Sequence, residues 1–176
     1  MPRLSRDEFI ERLKSIKLLA LDVDGVLTDD SIYFGPDDFE LKRFSISDGL
    51  YMILAMRAGL VLAVVSGRYS AATATRMKDL GVKYVLQDMK DKIKQIEPLL
   101  DKLNLAFEQV AFIGNEILDV KLAEKVALPI AVADAVPELQ ELAVYVTEKK
   151  GGAGAVREVL ECYFEAIGKD PMSLLV

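Results

Sequence analysis

Residues 18–29 read LLALDVDGVLTD, and this stretch decides what the rest of the chain can be. Its apolar start predicts a buried parallel strand, because a strand covered on both faces of a sheet lacks polar alternation. Asp22 and Asp24 follow one residue apart, and Gly25 allows a sharp turn directly after them. In open α/β sheets ligands bind beyond the carboxyl ends of the strands, so the stretch predicts a reactive site at this turn.

The spacing of the two aspartates indicates the kind of chemistry. Alternate residues of an extended segment point the same way, so Asp22 and Asp24 are expected to face one pocket. Carboxylates held that close repel each other unless a proton or a cation lies between them. The pair therefore suits a Mg²⁺ site with one nucleophilic aspartate and one aspartate that acts as acid and base. For the pair taken alone, an ordinary surface turn is the alternative.

Composition excludes several classes of function. The chain has 176 residues, 52% of them hydrophobic, and is expected to form one domain over 1–176. Its net charge of −6 argues against nucleic acid or an anionic membrane as a partner, and no stretch approaches the length of a membrane span. Histidine is absent, so acid–base catalysis must use carboxylates or lysine. The single cysteine, Cys162, cannot form an internal disulfide, which predicts a cytoplasmic protein.

Apolar runs alternate with helical patterns along the chain, which predicts an α/β fold with a doubly wound, mostly parallel sheet. The expected strands are 16–22, 60–65, 82–86, 110–113, 128–132 and 143–146. Among the helices, one is expected to be capped by Ser47 or Asp48 and to run to about Arg57. Another is expected to open at Asp88 and to break near Pro98.

A β-hairpin is expected between the first and second strands of this sheet. Residues 32–34 and 39–44 are two short extended runs that flank the turn sequence Gly-Pro-Asp-Asp. The segment is too short for a separate cap domain, so the hairpin should project over the site. Exposed Tyr33 and Phe34 favour a lid or a subunit contact over an ordinary surface hairpin.

Polar side chains follow three further strands. Ser66, Gly67 and Arg68 come directly after one of them, Lys92 lies on the helix that follows the next, and residues 114–119 read GNEILD. Lys90 is the alternative to Lys92 at this point. Phosphoryl transfer requires a nucleophile, a metal ion, positive charge near the phosphate oxygens and a proton donor for the leaving group, and each has a candidate here.

The segment Asp22–Thr28 resembles the first motif of the haloacid dehalogenase superfamily of phosphohydrolases, and the later strand ends resemble its remaining motifs. The resemblance implies that Asp22 attacks phosphorus and that Asp24 protonates the leaving group, while Lys92 neutralises charge. Phosphate or substrate would contact Ser66, Gly67, Arg68 and Thr28. Mg²⁺ would be held by the side chain of Asp22, the backbone carbonyl of Asp24 and Asn115, while Asp119 would support these ligands from behind or bind the metal itself if Asn115 does not reach it. Asn115 stands where many relatives have aspartate, and it offers a neutral oxygen ligand.

Within that superfamily the chain resembles the capless phosphatases of 3-deoxy-D-manno-octulosonate 8-phosphate and of similar nonulosonate phosphates. The resemblance rests on these segments: 22–29, 32–33, 40–42, 48–49, 131–135, 145–147 and 151–158. It implies a small phosphosugar substrate of lipopolysaccharide biosynthesis, and a homotetramer in which a neighbouring subunit closes the site. Ser47 and Ala153 stand where relatives commonly have arginine, which leaves open another nonulosonate or a broad range of phosphosugars.

Two readings from other classes remain open on the sequence. A signalling receiver domain also combines aspartate, Ser/Thr and lysine around Mg²⁺, but it takes phosphate after a later strand and lacks an acid such as Asp24. A catalytically silent oligomeric scaffold would show no activity that Asp22→Asn could remove.

Overall fold

The computed structural model describes residues 2–175, apart from the side chain of residue 38. Its main strands are β1 Leu18–Leu21, β4 Val61–Val65, β5 Tyr84–Leu86, β6 Val110–Gly114, β7 Leu128–Ala131 and β8 Tyr145–Val146. They form one sheet in the order β5-β4-β1-β6-β7-β8, and every pairing in it is parallel. The predicted fold class is confirmed. The single domain expected over 1–176 stays a prediction, and residues 1 and 176 lie outside the described part of the chain.

The helices are α1 Arg6–Leu13, α2 Ile46–Arg57, α3 Ala71–Leu80, α4 Lys92–Leu103, α5 Val120–Ala123, α6 Pro137–Leu142 and α7 Ala155–Ala166. One group, α1, α2 and α7, packs together, and a second group is formed by α4, α5 and α6. None of the helices described here has the length and apolar character needed to cross a membrane.

The first strand lies at the centre of the sheet. Residues 18–21 pair with 61–64 on one side and with 110–113 on the other, and all four are at most 2% exposed. The strand starts two residues later than predicted. Ile16 donates its backbone N–H to the carbonyl of Leu13 (3.1 Å) and so belongs to the turn that ends α1.

The strand order reverses direction between β1 and β6. From β1 the chain adds β4 and then β5 on one side, and it later crosses back to add β6, β7 and β8 on the other side. In doubly wound sheets such a reversal leaves a crevice at the carboxyl ends of the two strands that flank it. Asp22 and Asp24 follow β1, and Asn115 and Asp119 follow β6, so the topology brings the two acidic segments to one crevice.

The predicted hairpin is present as a small separate sheet. Its strands are β2 Tyr33–Phe34 and β3 Glu40–Leu41, and they pair in antiparallel fashion. They are shorter than predicted, and an isolated bridge between Thr28 and Phe44 closes the base of the insertion. Tyr33 is 45% and Phe34 is 70% exposed, as the sequence led us to expect.

Two local predictions about helices were wrong. Helix α2 is capped by Ser45, whose hydroxyl accepts from the backbone N–H of Asp48 (3.2 Å). The Asp48 carboxylate instead accepts from the backbone N–H groups of Gly154 and Arg157, and it thereby caps α7, whose own N-cap is a glycine without a side chain.

Helix α4 starts at Lys92 with Asp91 as its cap, and it does not break at Pro98. A proline inside a helix removes one backbone hydrogen bond and crowds the preceding turn. Pro98 lies on the exposed side of α4, where water can satisfy the carbonyl that the proline leaves unpaired, and the helix continues to Leu103.

Candidate active site

A cavity of about 230 Å³ lies at the crevice between β1 and β6. Its lining includes six of the residues predicted from the sequence: Asp22, Asp24, Ser66, Gly67, Arg68 and Lys92. These residues come from three separate segments of the chain, and the fold brings them together as predicted. Lys90 also lines the cavity, but it is exposed, and Lys92 is the lysine that reaches Asp22.

The turn after β1 is held by its own backbone. The carbonyl of Val23 accepts from the N–H groups of residues 26, 27 and 28, at 3.2, 2.9 and 3.1 Å. Gly25 has φ of +80°, and a Cβ atom there would lie 2.0 Å from the side-chain nitrogen of Asn115. Glycine at this position therefore allows both the sharp turn and the close approach of Asn115.

A second glycine pair supports the turn from behind. A Cβ atom on Gly151 would lie 1.7 Å from the carbonyl oxygen of Gly25, and one on Gly152 would lie 2.4 Å from the backbone of Thr28. The N–H of Gly152 donates to the carbonyl of Val26 (2.9 Å). The loop before α7 thus packs directly against the turn that carries the two aspartates.

Asp22, Lys92 and Asp119 form what we call the inner cluster. The ammonium group of Lys92 lies 2.8 Å from Asp22 Oδ1 and 2.5 Å from Asp119 Oδ1. The other oxygen of Asp119 accepts from the backbone N–H groups of Asn115 (2.8 Å) and Glu116 (3.1 Å). All three side chains of the cluster are at most 10% exposed. Two carboxylates face one ammonium group, so the inner cluster carries a net charge of −1 when both carboxylates are ionised.

The two ends of the Asp22–Lys92 pair have shifted pKa values. Burial raises the pKa of Asp22 to about 7, with the neighbouring charge of Asp119 adding to the effect and Lys92 opposing it. Burial by itself would lower the pKa of Lys92, but the charges of Asp22 and Asp119 outweigh it and raise that pKa. Lys92 therefore stays charged, and a further cation near Asp22 would favour the ionised form that a nucleophile needs.

The donor atoms at the crevice fit a magnesium ion. The side-chain oxygen of Asn115 is buried and has no hydrogen-bond partner among the described residues, which is costly for a polar atom unless a ligand engages it. Among the side chains that the structure describes, no group of three or more histidine, cysteine, aspartate or glutamate residues could hold a metal ion by itself. The Asp22 carboxylate, the Asn115 oxygen and the main-chain carbonyl of Asp24 are the hard oxygen donors that Mg²⁺ prefers.

Asp24, Glu40, Lys42 and Arg68 form what we call the outer cluster. The ammonium group of Lys42 lies 2.5 Å from Asp24 Oδ1, and its side chain is 1% exposed. Arg68 lies 3.5 Å from Asp24 Oδ2 and 2.5 Å from Glu40 Oε2. Two carboxylates face two cations, so the net charge is zero.

Glu40 and Lys42 were missed in our assignment of roles from the sequence, although a signal for them exists. They are two residues apart at strand β3, so their side chains point to the same side, and exposed Leu41 lies between them. A lysine and a glutamate that share the inner side of a hairpin beside an acidic site are candidates for contact with that site.

The hydroxyl groups of two residues predicted to contact the substrate bond to nearby backbone groups in the structure. Thr28 is fully buried, and its hydroxyl accepts from the N–H of Gly25 (3.3 Å) and donates to the carbonyl of Val23 (3.4 Å). It closes the turn and does not line the cavity, which corrects its assignment to substrate binding. The hydroxyl of Ser66 bonds to the backbone of Arg68, and the side chain of Gln95, also missed, donates to the carbonyl of Ser66 (3.2 Å).

Comparison with known proteins agrees with this geometry. Residues 84–160 match the family model of haloacid dehalogenase-like hydrolases. The chain is 41% identical over 162 residues to the Escherichia coli K12 protein named 3-deoxy-D-manno-octulosonate 8-phosphate phosphatase KdsC, covering 92% of this chain and 86% of the relative.

Solved structures give the same result. A Vibrio cholerae structure described as a putative 3-deoxy-D-manno-octulosonate 8-phosphate phosphatase has a TM-score of 0.89 and 42% identity, covering 93% of this chain and 91% of the other. A Moraxella catarrhalis phosphatase of the same name, in complex with magnesium ion, phosphate ion and KDO, has a TM-score of 0.88 and 35% identity, covering 91% and 92%. The motifs, the fold and these relatives agree, and the chain belongs to the haloacid dehalogenase-like hydrolases as a capless phosphatase.

Proposed function

We propose that this protein hydrolyses 3-deoxy-D-manno-octulosonate 8-phosphate, a step of lipopolysaccharide biosynthesis, through an aspartyl-phosphate on Asp22. The observation that carries the proposal is the position of Asp22 at the carboxyl end of β1, 2.8 Å from a buried ammonium group, with Asp24 facing the same cavity. The names of the relatives at 41% and 35% identity supply the substrate.

In the first half of the reaction Asp22 acts as the nucleophile. One of its carboxylate oxygens forms a bond to phosphorus, and the bond from phosphorus to the sugar oxygen breaks. The electron pair of that bond stays on the sugar oxygen, which takes a proton from Asp24 and leaves as an alcohol. Lys92 remains beside Asp22 and balances negative charge on the phosphoryl oxygens.

In the second half Asp24 acts as a base. It takes a proton from a water molecule, whose oxygen attacks the phosphorus of the aspartyl-phosphate. The bond between phosphorus and the Asp22 oxygen breaks, which releases inorganic phosphate and restores the carboxylate. Ser66 and the backbone at Gly67 line the cavity where the phosphoryl oxygens would be held.

The cofactor is Mg²⁺, and it supplies positive charge to the phosphate when bound. We assign its protein ligands to the Asp22 carboxylate, the Asp24 main-chain carbonyl and the Asn115 side-chain oxygen. Asp119, whose two oxygens are already engaged, would orient Asn115 and Lys92 from behind.

Assembly and location are part of the same proposal. Phe34, Phe39 and Ile46 are 70%, 63% and 83% exposed, and such apolar surface near an uncapped site favours contact with other subunits. We therefore propose a homotetramer in which a neighbour helps to close the site, and a cytoplasmic location. Light scattering on the purified protein should give four times the chain mass, and Phe34→Asp should lower that mass.

Other phosphosugars remain the second candidate for the substrate because of one observation. Ser47 and Ala153 stand where the family resemblance implies arginine, and they line a separate cavity of about 450 Å³ together with Lys149 and Arg157. Within one chain they do not face Asp22. Basic groups that bind a sugar-acid carboxylate would therefore have to come from positions other than 47 and 153 of the same chain.

The test is Mg²⁺-dependent phosphate release from a panel of phosphosugars. The panel contains the octulosonate 8-phosphate, a sialic-type 9-phosphate and simple hexose phosphates, each with and without chelator. Strong selectivity for the octulosonate supports the proposal, and a flat profile replaces it with a broad phosphatase. Release from none of them, or stoichiometric phosphorylation without turnover, would refute the enzyme reading.

A further inference from the structure

The buried lysine of the hairpin is unexplained by the roles assigned above. Lys42 is 1% exposed at its side chain, yet its closest charged contact is the Asp24 carboxylate, at 2.5 Å. Removing an ammonium group from water costs free energy unless an opposite charge compensates, so the burial of this lysine depends on its contact with Asp24. Resting on the proposed function, we propose that Lys42 is a positioning residue that holds Asp24 in the orientation needed to protonate the leaving oxygen.

The contacts of Asp24 show which of its oxygens is available. Oδ1 receives the short contact from Lys42, whereas Oδ2 lies 3.5 Å from Arg68, which is longer than a good hydrogen bond. The Asp24 side chain is 30% exposed and lines the cavity. One oxygen is therefore held in place, and the other stays free to carry the proton.

Glu40 anchors the hairpin segment that carries Lys42. One oxygen of Glu40 accepts from Arg68 (2.5 Å), and the other accepts from the hydroxyl of Ser70 (2.6 Å) and lies 3.9 Å from Lys42. Arg68 and Ser70 belong to the loop after β4, so Glu40 ties the hairpin to the body of the protein. The orientation of Asp24 thus depends on a hairpin that is anchored at the neighbouring strand end.

A purely structural ion pair is the competing explanation, and the leaving group distinguishes the two. When an alkyl phosphate reacts, the bond from phosphorus to oxygen breaks and the departing alkoxide needs the proton of Asp24. When p-nitrophenyl phosphate reacts, the nitrophenolate leaves as a stable anion and needs no proton. Loss of correct positioning should therefore slow the alkyl substrate selectively, whereas loss of fold would slow both.

The experiment compares kcat/KM for the octulosonate 8-phosphate and for p-nitrophenyl phosphate, because kcat/KM reports the steps through departure of the leaving group. The variants are Lys42→Met, which keeps the side-chain length without the charge, and Lys42→Arg. Arg43→Met is the matched control, since Arg43 is the neighbouring cation of the hairpin and its side chain is 65% exposed. Asp24→Asn gives the reference pattern for loss of the acid, and Asp22→Asn gives the reference pattern for loss of the nucleophile.

For Lys42→Met we expect a loss of roughly 10²-fold with the alkyl substrate, as for a misplaced catalytic group, and a loss of less than about threefold with the aryl substrate. Asp24→Asn should show the same selective loss of kcat/KM with the alkyl substrate. The loss in Lys42→Arg should lie between those of Lys42→Met and the wild type, and Arg43→Met should match the wild type. Equal losses on both substrates would overturn the inference. If Lys42→Met does not fold, an unchanged ratio in Lys42→Arg would overturn it instead. If the wild-type protein is inactive with both substrates, the proposed function is refuted, and the inference that rests on it is refuted as well.

Discussion

The inner and outer clusters place the same residue type in two different environments. Asp22 belongs to a nearly solvent-free group whose net charge is −1 when its carboxylates are ionised, whereas Asp24 is 30% exposed in a group whose charges balance. The inner cluster has surplus negative charge and lies beside the Asn115 side-chain oxygen, which has no partner among the described residues, so this region is suited to receive a cation. A balanced cluster at the edge of the cavity is suited to hold an acid that must exchange its proton with substrate and water.

The two clusters also differ in the parts of the fold that build them. The inner cluster joins the ends of β1 and β6 to the first residue of α4, and it therefore moves only if the core moves. The outer cluster joins the same turn to a two-stranded hairpin and to the loop after β4. We infer that nucleophile and metal geometry depend on the core, and that acid geometry depends on the insertion.

The largest expected effect comes from breaking the inner cluster. Asp22→Asn removes the nucleophile, and turnover should fall by at least about 10⁴-fold, as when one member of a cooperating catalytic unit is lost. The melting temperature without Mg²⁺ should not fall, because the change removes a buried charge whose pKa is raised by that burial. Phosphate release and thermal unfolding check the two parts. Retained turnover would contradict the covalent mechanism.

An intermediate effect comes from adding charge to the inner region. Asn115→Asp should tighten Mg²⁺ binding by roughly tenfold, because ligand charge sets the affinity of such sites. Titration of activity and calorimetry with Mg²⁺ measure the change, and Asn115→Ala, which removes the oxygen, should weaken binding. Equal Mg²⁺ affinity in the wild type and both variants would show that Asn115 does not reach the metal.

The smallest expected effect comes from loosening the outer cluster. The hydrogen bond from Arg68 is the main cause that lowers the pKa of Glu40, and burial opposes it. A lowered carboxyl pKa adds stability that is complete above about pH 4.3 and is lost as the pH falls through the lowered value. Glu40→Gln should lack this pH-dependent stability. It should lower the free energy of unfolding by under about 1 kcal/mol at neutral pH, because Arg68 is 39% exposed.

Hydrogen exchange of residues 33–41 and unfolding curves at several pH values measure that last effect. Activity with an alkyl phosphate should fall only severalfold, because Lys42 keeps its contact with Asp24. A pH dependence identical to that of the wild type would show that Glu40 does not anchor the hairpin.

The sheet, the crevice and the inner cluster could be predicted because they follow from local signals. A buried run before paired aspartates identifies a central strand, and each later strand end presents its polar group at the same edge. The motif resemblance predicts Lys92 rather than Lys90, and the structure shows why: Lys92 starts α4 and points inward, while Lys90 lies in the loop before it.

The outer cluster and the roles of Thr28 and Asp48 could not be predicted, because each depends on contacts between distant segments. Thr28 turns its hydroxyl into its own turn, which only the folded backbone reveals. The sequence predicts Asp48 as a cap of its own helix, but its carboxylate caps α7 more than one hundred residues later in the chain. Charge pairing across a hairpin likewise requires knowledge of how the hairpin folds back on the sheet.

The contact of Gly151 and Gly152 with the turn after β1 has a consequence for how the enzyme matures during translation. A ribosome makes Asp22 and Asp24 early, but both strands that flank β1 and the glycine loop behind the turn are made later. A nascent or prematurely terminated chain that ends before Gly151 carries both aspartates without the support that shapes their turn. Phosphatase activity should therefore appear only after Gly151 and Gly152 have been synthesised and have packed against this turn.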